Sequence, residues 1–233
     1  MNAVIVTSSW DDGHKHDLRL ARMLQEYGLK ATFYISPRNR EWAEADLLKK
    51  DEIREVSREF EIGSHTVTHP RLPTIPESEA KQEITDSKAM LEDITGRPIT
   101  SFCYPGGAYT PVHPHLVQDA GYRYARTVSR YAFTVDEPYE APTSLHTYNH
   151  WRSDVWRIAG FAKFKPTAIR HYFGWDSLGR AMFDRVAGTG GVFHIWGHSW
   201  EIDDHNDWGR LEGMLRYISA RSGVEYVTNG ELA

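Results

Sequence analysis

The sequence predicts one α/β domain, sheet inside and helices outside, closed or nearly closed into a barrel rather than opened into a doubly wound sheet. Three observations predict it. Short β-rich runs alternate with helical patterns along residues 1–233, the order that gives parallel strands joined by crossover helices. No low-complexity linker and no short repeat interrupts them, so a single domain over 1–233 follows. Four polar clusters also fall at the ends of β-rich runs, and in α/β barrels chemistry gathers at the carboxyl ends of the strands.

The elements follow in order. "AVIVTSSW" is a strand, and "DLRLARMLQEYG" a helix with Leu18, Leu20, Ala21 and Leu24 near one face and Gly28 as its stop. "KATFYIS" is the second strand, residues 44–60 read as a helix, and "FEIGSH" is a short strand. The next helix starts near Pro76, buries Ala80, Ile84, Leu91 and Ile94, and ends at Gly96. "ITSFCYP" is a strand running into Gly106 and Gly107; a helix over 112–120 and the strand "YRYARTV" come next. Residues 130–175 are rich in aromatics and prolines, with room for a short strand, a long loop and part of a helix. A helix over 176–188, the strand "GGVFHIWGH", the helix "DWGRLEGMLRYISARSG" and the strand "VEYVT" complete the chain.

Composition narrows the function. Hydrophobic residues at 40% and charged residues at 25% are ordinary for a globular protein. A net charge of -5 favours neither nucleic acid nor anionic lipid as partner. The single cysteine, Cys103, excludes an internal disulfide and any cysteine-based zinc site; with no base placed to activate it, it reads as a small buried residue. No run of about 18 apolar residues is present, so no membrane span is expected. The N-terminus lacks a basic n-region and a long apolar h-region, and a cytoplasmic location is the expectation.

The four polar clusters are Asp11-Asp12-Gly13-His14, His65 with His69, "CYPGG", and His198. In a parallel sheet all four share one rim. His65 and His69 in "HTVTH" are spaced to share a metal, but the stretch lacks the glutamate of H-E-x-x-H, and Pro70 favours a turn over a helix. Imidazoles with a carboxylate suit zinc, cobalt, nickel or iron. The aspartate pair supplies that carboxylate. Its bland reading is a turn or helix N-cap before "KHDLRL", with Gly13 easing the bend. Its functional reading divides the labour: one acid binds the metal, the other takes a proton from metal-bound water.

These motifs, "SWDDGH", "HTVTH", "FCYPGG" and "IWGH", resemble in order those of the NodB-type polysaccharide deacetylase family (carbohydrate esterase family 4), over about residues 5–200. The resemblance implies a distorted (β/α) barrel and one divalent metal ion, foremost zinc. It implies Asp12, His65 and His69 as ligands, Asp11 as catalytic base, and His198 as the acid protonating the leaving amine. A backbone N–H of the "CYPGG" loop would complete the oxyanion site. The family's third motif, R-x-P-Y, stands here as Cys103-Tyr104-Pro105-Gly106, without the Arg that steadies the base. Nothing in 130–175 matches the fourth motif, whose Asp supports the catalytic His. Other groups must take both roles.

Further pocket candidates are Tyr104, Gly106, Trp10, Trp196, His194 and His14. His194 lies four before His198 on the same strand face, and Trp10, Trp196 and Trp200 flank the proposed catalytic residues. His146, and Glu201 as partner for a catalytic His, are weighed against an ordinary loop histidine and a charged loop. The expected function is metal-dependent removal of N-acetyl groups from an amino sugar or polysaccharide precursor, with a small-molecule or oligosaccharide substrate. The alternatives are hydrolysis of a small linear or cyclic amide, such as an imide or ureide, and a non-catalytic carbohydrate-binding barrel.

Overall fold

A computed structural model describes residues 3–233. Its strands are β1 (Val4–Asp12), β2 (Thr32–Ile35), β3 (Glu61–Ser64), β4 (Ser101–Cys103), β5 (Tyr124–Arg126), β6 (Leu145–His146), β7 (Gly191–Gly197) and β8 (Val224–Tyr226). The helices are α1 (Asp17–Glu26), α2 (Lys50–Val56), α3 (Glu77–Thr95), α4 (Val112–Asp119), α5 (Trp151–Phe161), α6 (Pro166–His171), α7 (Trp175–Thr189), α8 (Ser199–Asp204) and α9 (Trp208–Ile218).

The strands pair in parallel, in the order β5-β4-β3-β2-β1-β7-β6, with β8 beside the first half of β1. Residues 138–147 carry the sheet round on itself. They hydrogen-bond first to Ala125 and Thr127 on the β5 side, then to His194 and Trp196 of β7. A distorted barrel results.

Strand alternation sorts side chains into two environments. Val6, Trp10, Phe33, Ile35, Ile62, Phe102, Ala125, Phe193 and Ile195 join the apolar cluster with the helices. The alternate positions face a polar lumen. There Asn229 Nδ2 donates to Thr7 Oγ1 at 2.9 Å, Tyr34 Oη donates to Asn229 Oδ1 at 2.9 Å, and Ser9 Oγ meets His194 Nε2 at 2.8 Å. Parallelism puts all the carboxyl ends of the strands at one rim, where the polar clusters meet.

Two expected elements come out differently. The helix over 44–60 is a single 3-10 turn, Glu44–Asp46, followed by α2. Leu47 stays extended because it bridges His14, and the Leu48 N–H donates to Gly13 O; tertiary pairing overrides local propensity. The expected charged loop after His198 is instead the helix α8. Among the described residues no helix is long and apolar enough to cross a membrane.

Candidate active site

Alternation on β1 sends Thr7, Ser9 and Asp11 inward and would send Asp12 outward. Asp12 instead takes φ 82°, a left-handed conformation that non-glycine residues rarely adopt. The turn continues through Gly13, also at positive φ, where a Cβ would lie 2.8 Å from Ile35 Cγ2. The twist brings both carboxylates to one cleft.

Asp11 is buried, and both its oxygens accept hydrogen bonds from Arg126 Nη2. The guanidinium sits between the rings of Tyr34 and Trp196, at 5.3 and 4.6 Å from their centroids. Burial alone would raise the Asp11 pKa. The Arg126 guanidinium, by its charge and its hydrogen bonds, outweighs burial and holds the carboxyl at about 2.

Asp12 uses its two oxygens differently. Oδ2 accepts from Trp200 Nε1 at 2.8 Å. Oδ1 is buried, has no hydrogen-bond donor among the described residues, and faces His69 Nε2 at 3.4 Å and His65 Nε2 at 3.8 Å. His65 Nδ1 donates to Cys103 O at 2.8 Å, which fixes the tautomer and leaves a lone pair on Nε2. Burial lowers the His65 pKa to about 4, so the ring is neutral. The "HTVTH" turn is held from outside by Glu83 of α3, which accepts from the Val67 and Thr68 N–H groups and the Thr68 hydroxyl. Thr66 and His69 both take positive φ there, 67° and 65°. Strain of this kind persists where the surroundings dictate it and clusters at functional sites. Asp12 Oδ1, His65 Nε2 and His69 Nε2 lie within 4.8 Å of one another. One unpartnered carboxylate oxygen and two imidazole lone pairs fit a divalent cation.

His198 projects from the end of β7, its Nε2 4.0 Å from Asp12 Oδ2. Its Nδ1 meets Glu201 Oε2 at 2.5 Å. The same oxygen lies 3.0 Å from His146 Nε2, and His146 Nδ1 lies 2.7 Å from His150 Nε2. His146 stacks flat on Trp196, centroids 3.9 Å apart. Burial opposes charge on His198, but the Glu201 hydrogen bond and the charges of Asp12, Glu201 and Asp11 raise its pKa to about 9. Burial keeps His146 neutral, with a pKa near 4.

The cleft encloses about 290 Å³ and is lined by Asp11, Asp12, His65, His69, Gly106, Trp196 and His198 among others. Four candidates do not line it. Trp10 follows the alternation opposite Asp11 and packs under the helices. His194 shares the lumen face with His198 but lies four residues deeper, roughly 13 Å along the strand, where it meets Ser9. Tyr104 is buried and donates its hydroxyl proton to Tyr139 O. His14 is buried against Trp42, which also meets Trp200.

Arg126 was not visible as a site residue in the sequence, although a charge inside a buried strand always demands a partner. It is the direct Cα partner of Cys103 across the β4–β5 ladder, so the cation missing from "FCYPGG" arrives from the adjacent strand. Glu201 on α8 and His146 on β6 stand where support for His198 was sought.

A family model described as polysaccharide deacetylase matches residues 2–125. That stretch holds Asp11, Asp12, His65 and His69, while Arg126, His146, His198 and Glu201 lie beyond it. A Bacillus subtilis protein described as a polysaccharide deacetylase is 25% identical over 134 residues, covering 57% of this chain and 47% of its own. The crystal structure of a polysaccharide deacetylase from Bacillus cereus is 28% identical, with a TM-score of 0.51, over 58% of this chain and 45% of that one. The chitin deacetylase of the fungus Colletotrichum lindemuthianum shares the fold over 100% of this chain and 88% of its own, at 19% identity and a TM-score of 0.67. The chain spans about half the length of the curated relative it matches.

Proposed function

The chain belongs to the polysaccharide deacetylase family, and from that premise we propose that its cleft hydrolyses the N-acetyl group of an amino sugar within an oligosaccharide or polysaccharide precursor. The observation that carries this reading is the meeting of Asp11, Asp12, His65, His69 and His198 in one cleft. Asp12, His65 and His69 would hold a divalent metal, zinc foremost. When bound it supplies Lewis-acid polarisation of the acetyl carbonyl and acidifies water.

Arg126 keeps Asp11 ionised, so its carboxylate orients the attacking water and accepts its proton. The same ion pair keeps the carboxylate aimed into the cleft. Protonated His198 gives its Nε2 proton to the departing amine nitrogen as the carbon–nitrogen bond breaks. Glu201 stabilises that imidazolium through Nδ1, and His146 fixes Glu201 from the other side. The backbone N–H of Gly106 is the oxyanion donor, since Pro105 has none and the Gly107 N–H already donates to Tyr104 O. Trp200, half-buried at the cleft, offers a ring face to a sugar.

The test is acetate release by metal-loaded protein from a panel of N-acetylated sugars and oligosaccharides. Asp11→Asn is the control, expected to keep the metal and lose turnover. If the panel stays silent while cyclic imides or ureides are hydrolysed, the deacetylase reading falls.

A further inference from the structure

The segment between β6 and α7 has a surface unlike the rest of the chain. Residues 151–171 hold five Lys or Arg and one acid, a net +4 in a chain whose net charge is -5. The acid, Asp154, is buried and bound by Arg130 through Nε and Nη2, at 3.1 and 3.0 Å. Arg152, Arg157, Lys163, Lys165 and Arg170 are all exposed. No acidic side chain of the segment therefore reaches its outer face.

Two large apolar side chains stand among these cations. Trp156 is 80% exposed and Phe164 66% exposed. The fold holds them outward. Asp154, Ile158 and Ala162 are buried along one side of α5 and its C-cap, and Trp156, two residues from Asp154 and from Ile158, falls on the opposite side. After α5 the chain turns through Lys163 and Phe164, both at positive φ, 51° and 56°. That turn presents Phe164 between two lysines. Arg157 lies over the Tyr131 ring at 5.7 Å, which joins the patch to the body of the barrel.

We propose that α5, α6 and the turn between them dock on an anionic lipid surface. Exposed aromatics interleaved with Lys and Arg, and free of acids, are the composition that lies in a membrane interface. The cations meet the headgroup charge, and their aliphatic stems lie along the apolar boundary. Phe164, with no polar atom in its ring, fits an acyl boundary better than a hydrated polyanion. Net charge conceals the patch because the acids lie elsewhere on the barrel. Asp154 ties α5 to Arg130, a cleft-lining residue, which links the docking segment to the cleft wall.

The experiment is co-sedimentation of the full chain with phosphatidylcholine vesicles, with and without phosphatidylserine. Binding is expected only with phosphatidylserine and should weaken as salt rises. Lys163→Glu with Lys165→Glu should weaken it by roughly tenfold or more. Trp156→Ala with Phe164→Ala should weaken it comparably without altering the circular dichroism spectrum, since both side chains are exposed. The proposal is overturned if phosphatidylserine vesicles do not bind, or if the aromatic pair can be removed without loss, which marks general polyanion attraction. It is overturned equally if sedimentation velocity shows a dimer that the same substitutions dissociate, for then the patch meets a second copy of the chain.

Discussion

Arg126 reaches Asp11 across the lumen from β5, at the position paired with Cys103 on β4. Both members of the pair are buried. Deleting one leaves an uncompensated charge, which typically costs about 3–5 kcal/mol. Arg126→Met should therefore lower the unfolding free energy by that order and raise the Asp11 pKa. In the wild type the depressed pKa contributes stability above the ordinary carboxylate range, lost as pH falls towards 2; the variant should lack that acid-side dependence. Denaturant melts from neutral to acid pH measure both effects. Asp11→Asn added to Arg126→Met should restore part of the loss, a non-additivity expected of contacting partners.

Glu201 sets the protonation of His198, so turnover should report on it. With His198 near 9, the imidazolium is the resting form at neutral pH, and activity should fall as pH rises through about 9. In Glu201→Gln the largest stabilising contact of that imidazolium is gone, and the falling limb should move to lower pH. The same sign applies to folding: the raised pKa contributes stability present below the ordinary histidine value and lost as pH rises through about 9. A pH–rate profile of wild type and variant decides it; an unmoved alkaline limb removes His198 as the acid.

Much of this site was legible as motifs at strand ends, because a parallel sheet places every carboxyl end on one rim. The two aspartates, the paired histidines and His198 needed only order and spacing. What stayed hidden depended on relations between strands. Arg126 sits in "YRYARTV" with nothing local to flag it, and only the β4–β5 register shows that it replaces a cation expected at Cys103. Glu201 was weighed against a charged loop because α8 is six residues long, too short for a periodic signal. Trp10 and His194 were misplaced for a simpler reason. Alternation already sends Trp10 away from Asp11, and strand rise already sinks His194 well below His198.

Asp12 holds φ 82° at the end of a strand, and that strain is relieved by glycine. Asp12→Gly should abolish binding of a divalent metal, read by equilibrium dialysis against zinc. In metal-free protein the same change should leave the melting temperature unchanged or higher. Relief of the left-handed conformation and of the unpartnered Oδ1 is of order 1–3 kcal/mol, against the loss of one hydrogen bond from Trp200. Asp12→Ala keeps the strain and should melt lower than Asp12→Gly. A variant that still binds zinc as tightly as wild type removes Asp12 from the ligand set.

Substrate charge gives the last test. Of three arginines at the site, Arg126 is bound to Asp11 and Arg130 to Asp154. Arg71 is exposed, lines the cleft, and has no ion pair among the described residues; its guanidinium lies 3.3 Å from where a Cβ on Gly106 would stand. A cation held beside the oxyanion loop favours a substrate bearing a carboxylate or phosphate near the acetamide. Arg71→Ala should raise KM for acidic N-acetyl sugars by roughly tenfold, the usual loss for a charged hydrogen bond. Neutral sugars should keep their KM, and kcat should change little for either class. Equal loss on neutral and acidic substrates would show that Arg71 shapes the loop and does not read charge.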